Sequence, residues 1–450
     1  MNADLAVIGA GPGGYTAAAL AAEAGLRTVL FEKDLVGGTC LNRGCIPTKA
    51  LLHTAETWAA ITGGDLAGIT AAGLDFAAMH QKKNEIVAAL RQGVESRLKT
   101  AGVTLVSGFA RVTGPGQIVC GGENFSAQTI LLAAGAAPAL PPVPGIELPG
   151  VCTSDALLEG TPPAPESLVI IGGGVIGVES ASIYLPMGIP VTILEAADRI
   201  LPEMDLELSR RVAMNVKKQG ARIETGARVA EVSGTPGHMT VHYTDRKGRA
   251  GSAEAALVLA ATGRRADVAA LFPSDYCPDL QRGAAVSDAE GRTSLPGVWV
   301  IGDARAGNIQ LAHVATAQAQ NFVALLTGSL PPADESVVPA CVYTRPAAAS
   351  VGLTEAAAKA AGRSVRTLKA LTGANGKCMI EGTQSGFLKL VADSGTGEVL
   401  GAQMVCPEAA DLVGELSVAV RQKLTVPELA AVIHPHPAFC ELIAAAAAQW

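Results

Sequence analysis

Residues 4–32 read DLAVIGAGPGGYTAAALAAEAGLRTVLFE, and residues 167–195 read SLVIIGGGVIGVESASIYLPMGIPVTILE. Each stretch consists of an apolar run, a glycine-rich turn, a helix-like segment and a second apolar run that ends in an acid. The matched residues lie 163 positions apart and comprise Gly9, Gly11, Gly14, Gly25 and Glu32 in the first copy, with Gly172, Gly174, Gly177, Gly188 and Glu195 in the second. One such motif is weak evidence, because glycine turns connect many strands and helices. Two copies in the same context predict two dinucleotide-binding βαβ units.

The glycines and the acid of each copy have separate roles in this pattern. The first glycine permits the tight turn, the second lets a pyrophosphate approach the backbone, and the third packs helix against strand. The phosphates lie at the helix N-terminus, where free N–H groups and the helix dipole favour anions. The terminal acid accepts hydrogen bonds from a ribose 2′-hydroxyl. After Glu195 no basic residue occurs before Arg199, so the second copy is predicted to prefer NAD over NADP, whose 2′-phosphate a carboxylate repels.

The chain is too long for one hydrophobic core. Its 450 residues exceed the roughly 250–300 at which a single core stops growing. Proline-rich connections and buried strands divide it into a first dinucleotide domain, a second one, a central segment and a C-terminal α+β module, with the bounds 1–145, 146–265, 266–330 and 331–450. A linker, GSLPPADES (328–336), precedes the last module. In the central segment, GVWVIGDA (297–304) predicts a buried strand that delivers Asp303 to its carboxyl end, the sheet edge where α/β folds bind ligands.

Composition and charge argue against nucleic acids and membranes as binding partners of this protein. The net charge is −7 and Lys and Arg are scattered, which gives no basic surface for nucleic acid or an anionic membrane. No apolar run reaches the ~18 residues of a membrane span. A strand-like run that begins at Asp4 leaves no room for a secretory signal peptide, so a cytoplasmic location is expected. No metal site is predicted.

Two of the nine cysteines stand out from the rest. Seven are dispersed in apolar or turn contexts, which is not the pattern of a disulfide framework. Cys40 and Cys45 lie five residues apart in GGTCLNRGCIPTK (37–49). In a regular helix residues at this spacing are roughly 8 to 9 Å apart, whereas a disulfide needs Cα atoms within about 7 Å. Either the two never bond, or the backbone between them is distorted.

The surrounding residues favour the distorted backbone. Gly44 permits unusual dihedral angles, and Pro47 lacks an N–H and crowds the preceding turn. A helix is predicted to begin near Pro47 and to run through residues 48–58. Cys45 would then lie near the helix N-terminus, where the dipole and Lys49 favour a thiolate. The alternative is a pair of buried free thiols beside a turn.

The stretch GGTCLNRGCIPTKALLH (37–53) resembles the active-site signature of the flavin-dependent disulfide oxidoreductases. The resemblance covers almost the whole chain, including EAADRILPEMD, ATGRR, VIGDA, LAHVATAQA, YTRPAAASVGLTE and HPHPAFCE. It implies an α/β fold with two Rossmann-like dinucleotide-binding domains, for FAD in 1–145 and for NAD in 146–265. It also implies that 266–330 completes the FAD site and that the α+β module 331–450 is an interface domain that forms a homodimer.

The resemblance assigns the cofactor-binding residues. Those implied for FAD are Gly9, Gly11, Gly14, Glu32, Thr39, Lys49, Ala110, Gly135, Asp303 and Ala312. Those implied for NAD are Gly172, Gly174, Gly177, Glu195, Val229, Ala261 and Gly263. Glu179 corresponds to the acid that pairs with Lys49 beside the flavin. His313, in LAHVA, matches a position near the flavin, and a packed or interface histidine is an equal alternative.

The segment HPHPAFCE (434–441) contains a candidate acid–base pair. Pro437 suits the first turn of a helix, which would place His436 just before that helix and Glu441 within reach of the imidazole. His434 is predicted to be an ordinary loop histidine. The resemblance assigns His436 as the acid–base and Glu441 as its partner, and it implies that both act on the cysteine pair of the other subunit.

Within the family, the chain most resembles the members that oxidise dihydrolipoamide. This implies a redox disulfide between Cys40 and Cys45, oxidation of free or protein-bound dihydrolipoamide, and reduction of NAD to NADH. The implied partner is the lipoyl domain of a 2-oxoacid dehydrogenase or glycine cleavage complex. Two alternatives remain open: a related NAD(P)H-dependent reductase of another small disulfide, and a flavoprotein scaffold with only diaphorase activity.

Overall fold

The computed structural model describes residues 2–66, 68–70, 72–330 and 333–450, so residues 331 and 332 of the predicted linker lie outside the described residues. The first region of the chain supplies six strands of a seven-stranded sheet, and helices pack against this sheet. Its strands are β1 (Asn2–Ile8), β2 (Thr28–Glu32), β3 (Thr104–Ser107), β4 (Ala110–Gly114), β5 (Gln117–Cys120) and β6 (Glu123–Leu132), followed by the short β7 (Ala137–Pro138) outside this sheet. Its helices are α1 (Pro12–Glu23), α2 (Gly38–Arg43), α3 (Cys45–Thr62) and α4 (Phe76–Ala101).

The parallel part of this sheet has the strand order β3-β2-β1-β6. Strand β1 is buried along most of its length, with Leu5 and Val7 fully inaccessible. A near-continuous apolar run is what a parallel strand needs when helices cover both faces of its sheet. The hairpin of β4 and β5 continues the sheet in antiparallel fashion beyond the first half of β6.

The second region repeats this architecture. Its strands are β8 (Val151–Thr153), β9 (Leu168–Ile171), β10 (Val191–Glu195), β11 (Arg222–Thr225), β12 (Arg228–Thr235), β13 (His238–Thr244), β14 (Ala250–Ala255), β15 (Leu257–Ala260) and β16 (Arg264–Arg265), and its helices are α5 (Ser154–Leu158), α6 (Val175–Tyr184) and α7 (Leu206–Lys218). The parallel sheet has the order β11-β10-β9-β15-β8, and β12 to β14 form a separate antiparallel meander. Strands β16 and β7 pair with each other and so connect the two regions.

The central segment returns to the first sheet. It contains β17 (Leu280–Gln281), β18 (Ala284–Ala285), β19 (Val298–Val300) and α8 (Ala312–Leu326). Strand β19 pairs in parallel with β6, and α8 packs on α1. A Cβ on Gly13 of α1 would lie only 3.0 Å from the Ala315 carbonyl oxygen of α8, so glycine permits this close helix contact. The strand predicted over residues 297–304 is shorter than expected, because the chain turns into a 3₁₀ helix at Gly302–Ala304.

The C-terminal module is an α+β unit around one antiparallel sheet. Its strands are β20 (Ala340–Val342), β21 (Ala348–Gly352), β22 (Val365–Leu371), β23 (Phe387–Asp393) and β24 (Val399–Val405), and its helices are α9 (Glu355–Ala360), α10 (Gly376–Ile380), α11 (Ala409–Arg421), α12 (Val426–Ala430) and α13 (Glu441–Ala447). The strand order is β20-β21-β24-β23-β22. Helix α7 docks on this sheet, where the buried Lys389 ammonium lies 3.0 Å from the Asp205 carboxylate. In the described part of the chain, no helix has the length and apolar character to cross a membrane.

Candidate active site

Both glycine turns have a backbone that only glycine can adopt. Gly9 and Gly172, the first glycines of the two copies, have φ of 102° and 112°. A Cβ at either position would lie 2.4 Å from a carbonyl oxygen, that of Ala133 or of Ala261. Since no side chain is tolerated at such a distance, each turn closes tightly against the strand that ends beside it.

The middle glycine of each copy leaves open space in front of a helix. Gly11 and Gly174 are the N-cap residues of α1 and α6, and neither has a heavy atom within 4 Å of the position a Cβ would take. Among the residues that the structure describes, no side chain caps either helix. The free N–H groups of the first turn therefore face a space that fits an anionic pyrophosphate, which is the arrangement that a dinucleotide requires.

The terminal acids of the two copies make the same backbone contacts. Glu32 accepts hydrogen bonds from the N–H groups of Ala10 (2.7 Å) and Asp34 (2.9 Å). Glu195 accepts the equivalent pair from Gly173 and Ala197, both at 2.6 Å. The two carboxylates are thus held at the ends of β2 and β10, beside their glycine turns.

Arg199, the first basic residue after Glu195, is engaged with other partners. The Arg199 guanidinium donates to the Pro202 carbonyl oxygen at 2.6 Å and lies 3.3 Å from the Asp198 carboxylate. Arg199 therefore does not neutralise the negative charge of Glu195. That charge would repel the 2′-phosphate of NADP, which supports the predicted preference for NAD.

Replacing Glu195 by glutamine is expected to raise the kcat/KM ratio of NADP to NAD about fivefold, because it removes a repulsion worth roughly 1 kcal/mol toward the 2′-phosphate. Steady-state kinetics with both nucleotides measures this ratio. The matched control is Glu32→Gln, which disturbs the same backbone contacts in the first copy and should leave the ratio unchanged. An unchanged ratio in Glu195→Gln would show that another group sets the preference.

The backbone between the two cysteines is distorted as expected. Helix α2 ends at Arg43, Gly44 has φ −139° and ψ −110°, and α3 begins at Cys45, two residues before the predicted start at Pro47. A Cβ on Gly44 would lie 3.0 Å from the Thr39 carbonyl oxygen. Glycine therefore lets the chain fold back on itself, which brings Cys45 toward Cys40.

The structure holds both residues as half-buried free thiols joined by a hydrogen bond. The Cys40 thiol lowers the pKa of Cys45 to about 7, and the Lys49 ammonium also favours the thiolate. The pKa of Cys40 is raised, first because its thiol is hydrogen-bonded to Cys45 and then by burial. Cys45 is also the first residue of α3, where backbone N–H groups stabilise a thiolate. The two cysteines therefore differ in protonation: Cys45 favours the thiolate and Cys40 favours the thiol.

In the reduced protein, Cys45 is expected to become reactive toward iodoacetamide as the pH rises through about 7, while Cys40 stays protonated. Below that pH Cys45 is a neutral thiol and reacts slowly. Mass spectrometry of the alkylated peptides measures both rates. Cys152 is the internal control, because burial raises its pKa to about 12. A midpoint near 9.0, the ordinary value, would contradict the proposed stabilisation.

An ion pair joins the cysteine helix to the second dinucleotide unit. The Lys49 ammonium lies 2.7 Å from the buried carboxylate of Glu179 on α6. The other carboxylate oxygen of Glu179 accepts a hydrogen bond from the Tyr343 N–H at 3.1 Å, and the Tyr343 ring centroid lies 4.3 Å from the Lys49 ammonium. The ion pair was expected from the resemblance, whereas the contribution of Tyr343, which follows β20 in the C-terminal module, was not. Three separate parts of the chain therefore meet one turn after Cys45.

Arg264 was also missed, although it stands in the quoted motif ATGRR. Its guanidinium donates to the Thr39 hydroxyl at 3.1 Å and to the Ala136 carbonyl oxygen at 2.7 Å, and it pairs with Asp155 at 2.8 Å. Burial raises the pKa of Asp303, and the nearby Arg264 opposes that shift. Arg264 therefore connects the second dinucleotide unit to the residue that precedes Cys40.

The other residues assigned by resemblance lie at strand ends, turns and one helix start. Ala110 is buried at the start of β4, and Ala312 is the first residue of α8. Gly135 and Gly263 have positive φ of 68° and 99° just after the central strands of the two units. Val229 lies on β12, beside a bulge. The His313 Nε2–H donates to the Pro339 carbonyl oxygen at 2.8 Å, which connects α8 to the segment before β20.

The candidate acid–base pair is formed within the C-terminal module. The Nδ1 atom of His436 lies 2.9 Å from the Glu441 carboxylate, and the His436 side chain is 79% exposed. The Ala438 N–H donates to the other Glu441 oxygen at 2.8 Å, and this bond, together with His436, lowers the pKa of Glu441. His434 is by contrast almost fully buried against Glu415, as a structural histidine.

The expectation that Pro437 opens a helix is wrong. Helix α13 begins four residues later, at Glu441. The Ala438 carbonyl accepts a hydrogen bond from a side chain, that of Asn375, and the Leu442 N–H donates to the Phe439 carbonyl. Because these bonds take the place of i to i−4 helical hydrogen bonds, residues 437–440 form a loop. Glu441 nevertheless contacts His436.

Comparison with known proteins identifies the family. Residues 3–319 match the pyridine nucleotide-disulphide oxidoreductase family, and residues 338–447 match the dimerisation domain of that family. The chain belongs to this family. The dihydrolipoyl dehydrogenases of Bacillus subtilis and Chlorobaculum tepidum are both 36% identical to the chain, and each alignment covers 99% of it and 97% or 96% of the relative. The flavoprotein disulfide reductase RclA of Escherichia coli, solved as a Cu(II) complex, superimposes with a TM-score of 0.89 at 29% identity, covering 100% of this chain and 99% of RclA.

These matches confirm the family and the fold predicted from the sequence. The pyridine nucleotide-disulphide oxidoreductase chain is an enzyme that uses FAD and a pyridine nucleotide. It carries the dimerisation domain of the family. The domain bounds and the roles of individual residues stay predictions.

Proposed function

We propose that this pyridine nucleotide-disulphide oxidoreductase is a dihydrolipoamide dehydrogenase, which oxidises dihydrolipoamide to lipoamide and reduces NAD⁺ to NADH. The observation that supports this most strongly is the polarised thiol pair at a helix N-terminus, in a chain that also carries a histidine paired with a carboxylate. The full-length similarity to dihydrolipoyl dehydrogenases agrees with it.

The proposed reaction begins at His436. With Nδ1–H donated to Glu441, the Nε2 atom is free to accept a proton from a thiol of dihydrolipoamide. The substrate thiolate attacks Cys40 of the oxidised Cys40–Cys45 pair, a mixed disulfide forms, and Cys45 leaves as a thiolate. The second substrate sulfur, as its thiolate, then attacks the substrate sulfur of the mixed disulfide, which closes the disulfide of lipoamide and breaks its bond to Cys40; the leaving Cys40 sulfur takes up the proton of the second thiol. Two electrons have thereby moved from the substrate to the thiol pair.

Residues of the first unit and of the central segment are proposed to hold FAD, and residues of the second unit are proposed to hold NAD. Around FAD these are Gly9, Gly11, Gly14, Glu32, Thr39, Lys49, Ala110, Gly135, Asp303 and Ala312; around NAD they are Gly172, Gly174, Gly177, Glu195, Val229, Ala261 and Gly263. When bound, FAD supplies the two-electron carrier that connects dithiol to nicotinamide. The pKa of Cys45, lowered to about 7, makes a large fraction of its sulfur a thiolate at neutral pH.

The exposed position of His436 supports a homodimer in which each subunit's histidine serves the other subunit's cysteines. Its side chain is 79% exposed and its described contacts are with its own loop. The C-terminal module matches the dimerisation domain of the family. The proposed partner of the dimer is a lipoyl domain of a multienzyme complex.

A steady-state comparison of substrates tests the proposal. Dihydrolipoamide with NAD should give the highest kcat/KM, and glutathione disulfide or coenzyme A disulfide with NADH or NADPH should give little turnover. Preference for one of those disulfides would favour the related reductase, the activity class that RclA represents. A reduced protein without the long-wavelength absorbance of a thiolate beside flavin, and without any of these activities, would favour the scaffold.

A further inference from the structure

The loop that carries His436 receives a hydrogen bond from one buried side chain outside the loop. Asn375 is 7% exposed and is the N-cap residue of α10. Its Oδ1 atom accepts a hydrogen bond from the Cys378 N–H at 2.9 Å, as a helix cap does. Its Nδ2 atom donates to the Ala438 carbonyl oxygen at 3.0 Å. The side chain therefore joins a helix start to a loop that lies 63 residues further along the chain.

The anchored peptide group leads directly to the acid–base pair. The Ala438 N–H donates to one oxygen of Glu441 at 2.8 Å, and the other oxygen lies 2.9 Å from His436 Nδ1. The remaining described hydrogen bonds of residues 437–440 are local, from Leu442 to Phe439 and from Ile443 to Cys440. Among the described residues, Asn375 thus donates the hydrogen bond that holds residues 437–440 to α10, beside the packing of Phe439 on the core of the module.

We propose that Asn375 is a positioning residue for the acid–base pair, acting through Ala438 and Glu441 on the orientation of His436. The inference rests on the proposed function, in which His436 takes a proton from the dithiol. The Ala438 N–H is also the largest cause of the lowered pKa of Glu441. A loop released from Asn375 misplaces that N–H and the carboxylate that orients the imidazole.

Three single variants separate the helix cap from the loop anchor. Asn375→Ser keeps a cap for α10, because serine is a good N-cap residue, but its side chain is too short to reach Ala438. Asn375→Ala removes both functions. Thr354→Ala is the control, since Thr354 caps α9 of the same module through the Ala357 N–H and does not contact the loop. Ala438 is only half-buried, so water can replace the lost donor in the first variant.

Rapid mixing of each flavin-loaded variant with dihydrolipoamide, and separately with NADH, measures the two half-reactions. Asn375→Ser and Asn375→Ala should both slow reduction by dihydrolipoamide about tenfold to hundredfold, as expected for a misplaced catalytic group, and leave reduction by NADH unchanged. Thr354→Ala should leave both rates unchanged. Thermal unfolding should group the variants differently. Asn375→Ala and Thr354→Ala, which each lose a helix cap, should unfold at a lower temperature, and Asn375→Ser should unfold close to the wild-type temperature.

A double-mutant cycle completes the test. In a His436→Gln background, Asn375→Ser should cause no further loss, because its effect passes through His436. The inference is overturned if Asn375→Ser retains wild-type reduction by dihydrolipoamide, or if it slows both half-reactions equally. A wild-type enzyme that dihydrolipoamide does not reduce overturns the proposed function, and this inference with it.

Discussion

Replacing Cys45 by serine is expected to abolish dihydrolipoamide turnover, by about a thousandfold or more, while FAD stays bound. A serine hydroxyl neither forms a disulfide nor ionises near neutral pH, so the pair cannot store the two electrons of the dithiol. In the wild type the Cys45 pKa lies at about 7, which makes its sulfur the better leaving group of the two. Turnover with dihydrolipoamide and NAD measures the loss, and the flavin absorbance per chain measures cofactor retention.

The matched control for this variant is Cys277→Ser, the same substitution at a half-buried free cysteine away from the site. It should retain full turnover. Loss of flavin from Cys45→Ser would contradict the assignment, because the glycine turns and Glu32, not Cys45, are proposed to hold the nucleotide. Turnover above about one per cent of the wild type would also contradict it, since no other cysteine lies in the described contacts of Cys40.

The glycine turns were predictable because their requirements are local. Within about 30 residues the strand, the turn, the helix and the acid follow each other, and the steric role of each glycine depends only on its neighbours. The structure bears this out at Gly9 and Gly172, whose missing Cβ atoms face carbonyl oxygens at the same 2.4 Å. The backbone break at Gly44 was likewise predictable from cysteine spacing and glycine placement.

Residues that reach the site from distant segments could not be found in this way. Tyr343 contacts Glu179 across 164 residues, and Arg264 contacts Thr39 across 225. No periodicity or spacing connects such pairs, because their proximity results from how the sheets and modules pack. Both residues stand in motifs that carry the resemblance to the family, YTRPAAASVGLTE and ATGRR. These motifs marked the residues, but the sequence did not show which partners they contact.

The incorrect helix at Pro437 has the same origin. Proline in a first helical turn is a sound local expectation, but it assumes that the following carbonyls accept helical hydrogen bonds. The Ala438 carbonyl accepts from Asn375 instead, a residue that sequence spacing does not associate with it. A tertiary hydrogen bond therefore overrides the local helix propensity at Pro437. The pairing of His436 with Glu441, five residues apart, was predicted correctly.

Replacing His436 by glutamine is expected to lower dihydrolipoamide turnover by about 10²- to 10⁴-fold, the usual contribution of a general acid–base. Glutamine can accept a hydrogen bond but cannot take up the proton of the substrate thiol. Oxidation of NADH by an artificial acceptor should be spared, because it requires neither the dithiol nor the imidazole. Steady-state assays of both reactions on the same preparation measure the difference, since a folding defect would lower the two together.

The closest control for this variant lies two residues away. His434 is almost fully buried and hydrogen-bonded to Glu415 at 3.1 Å and to the Val432 carbonyl oxygen at 3.1 Å. His434→Gln is expected to lower thermal stability more than it lowers turnover, because the substitution removes a buried imidazole ring that packs against Glu415 and not an exposed base. If His434→Gln and His436→Gln reduce dihydrolipoamide turnover equally, the loop matters only for structure, and the proton acceptor must be sought elsewhere in the dimer.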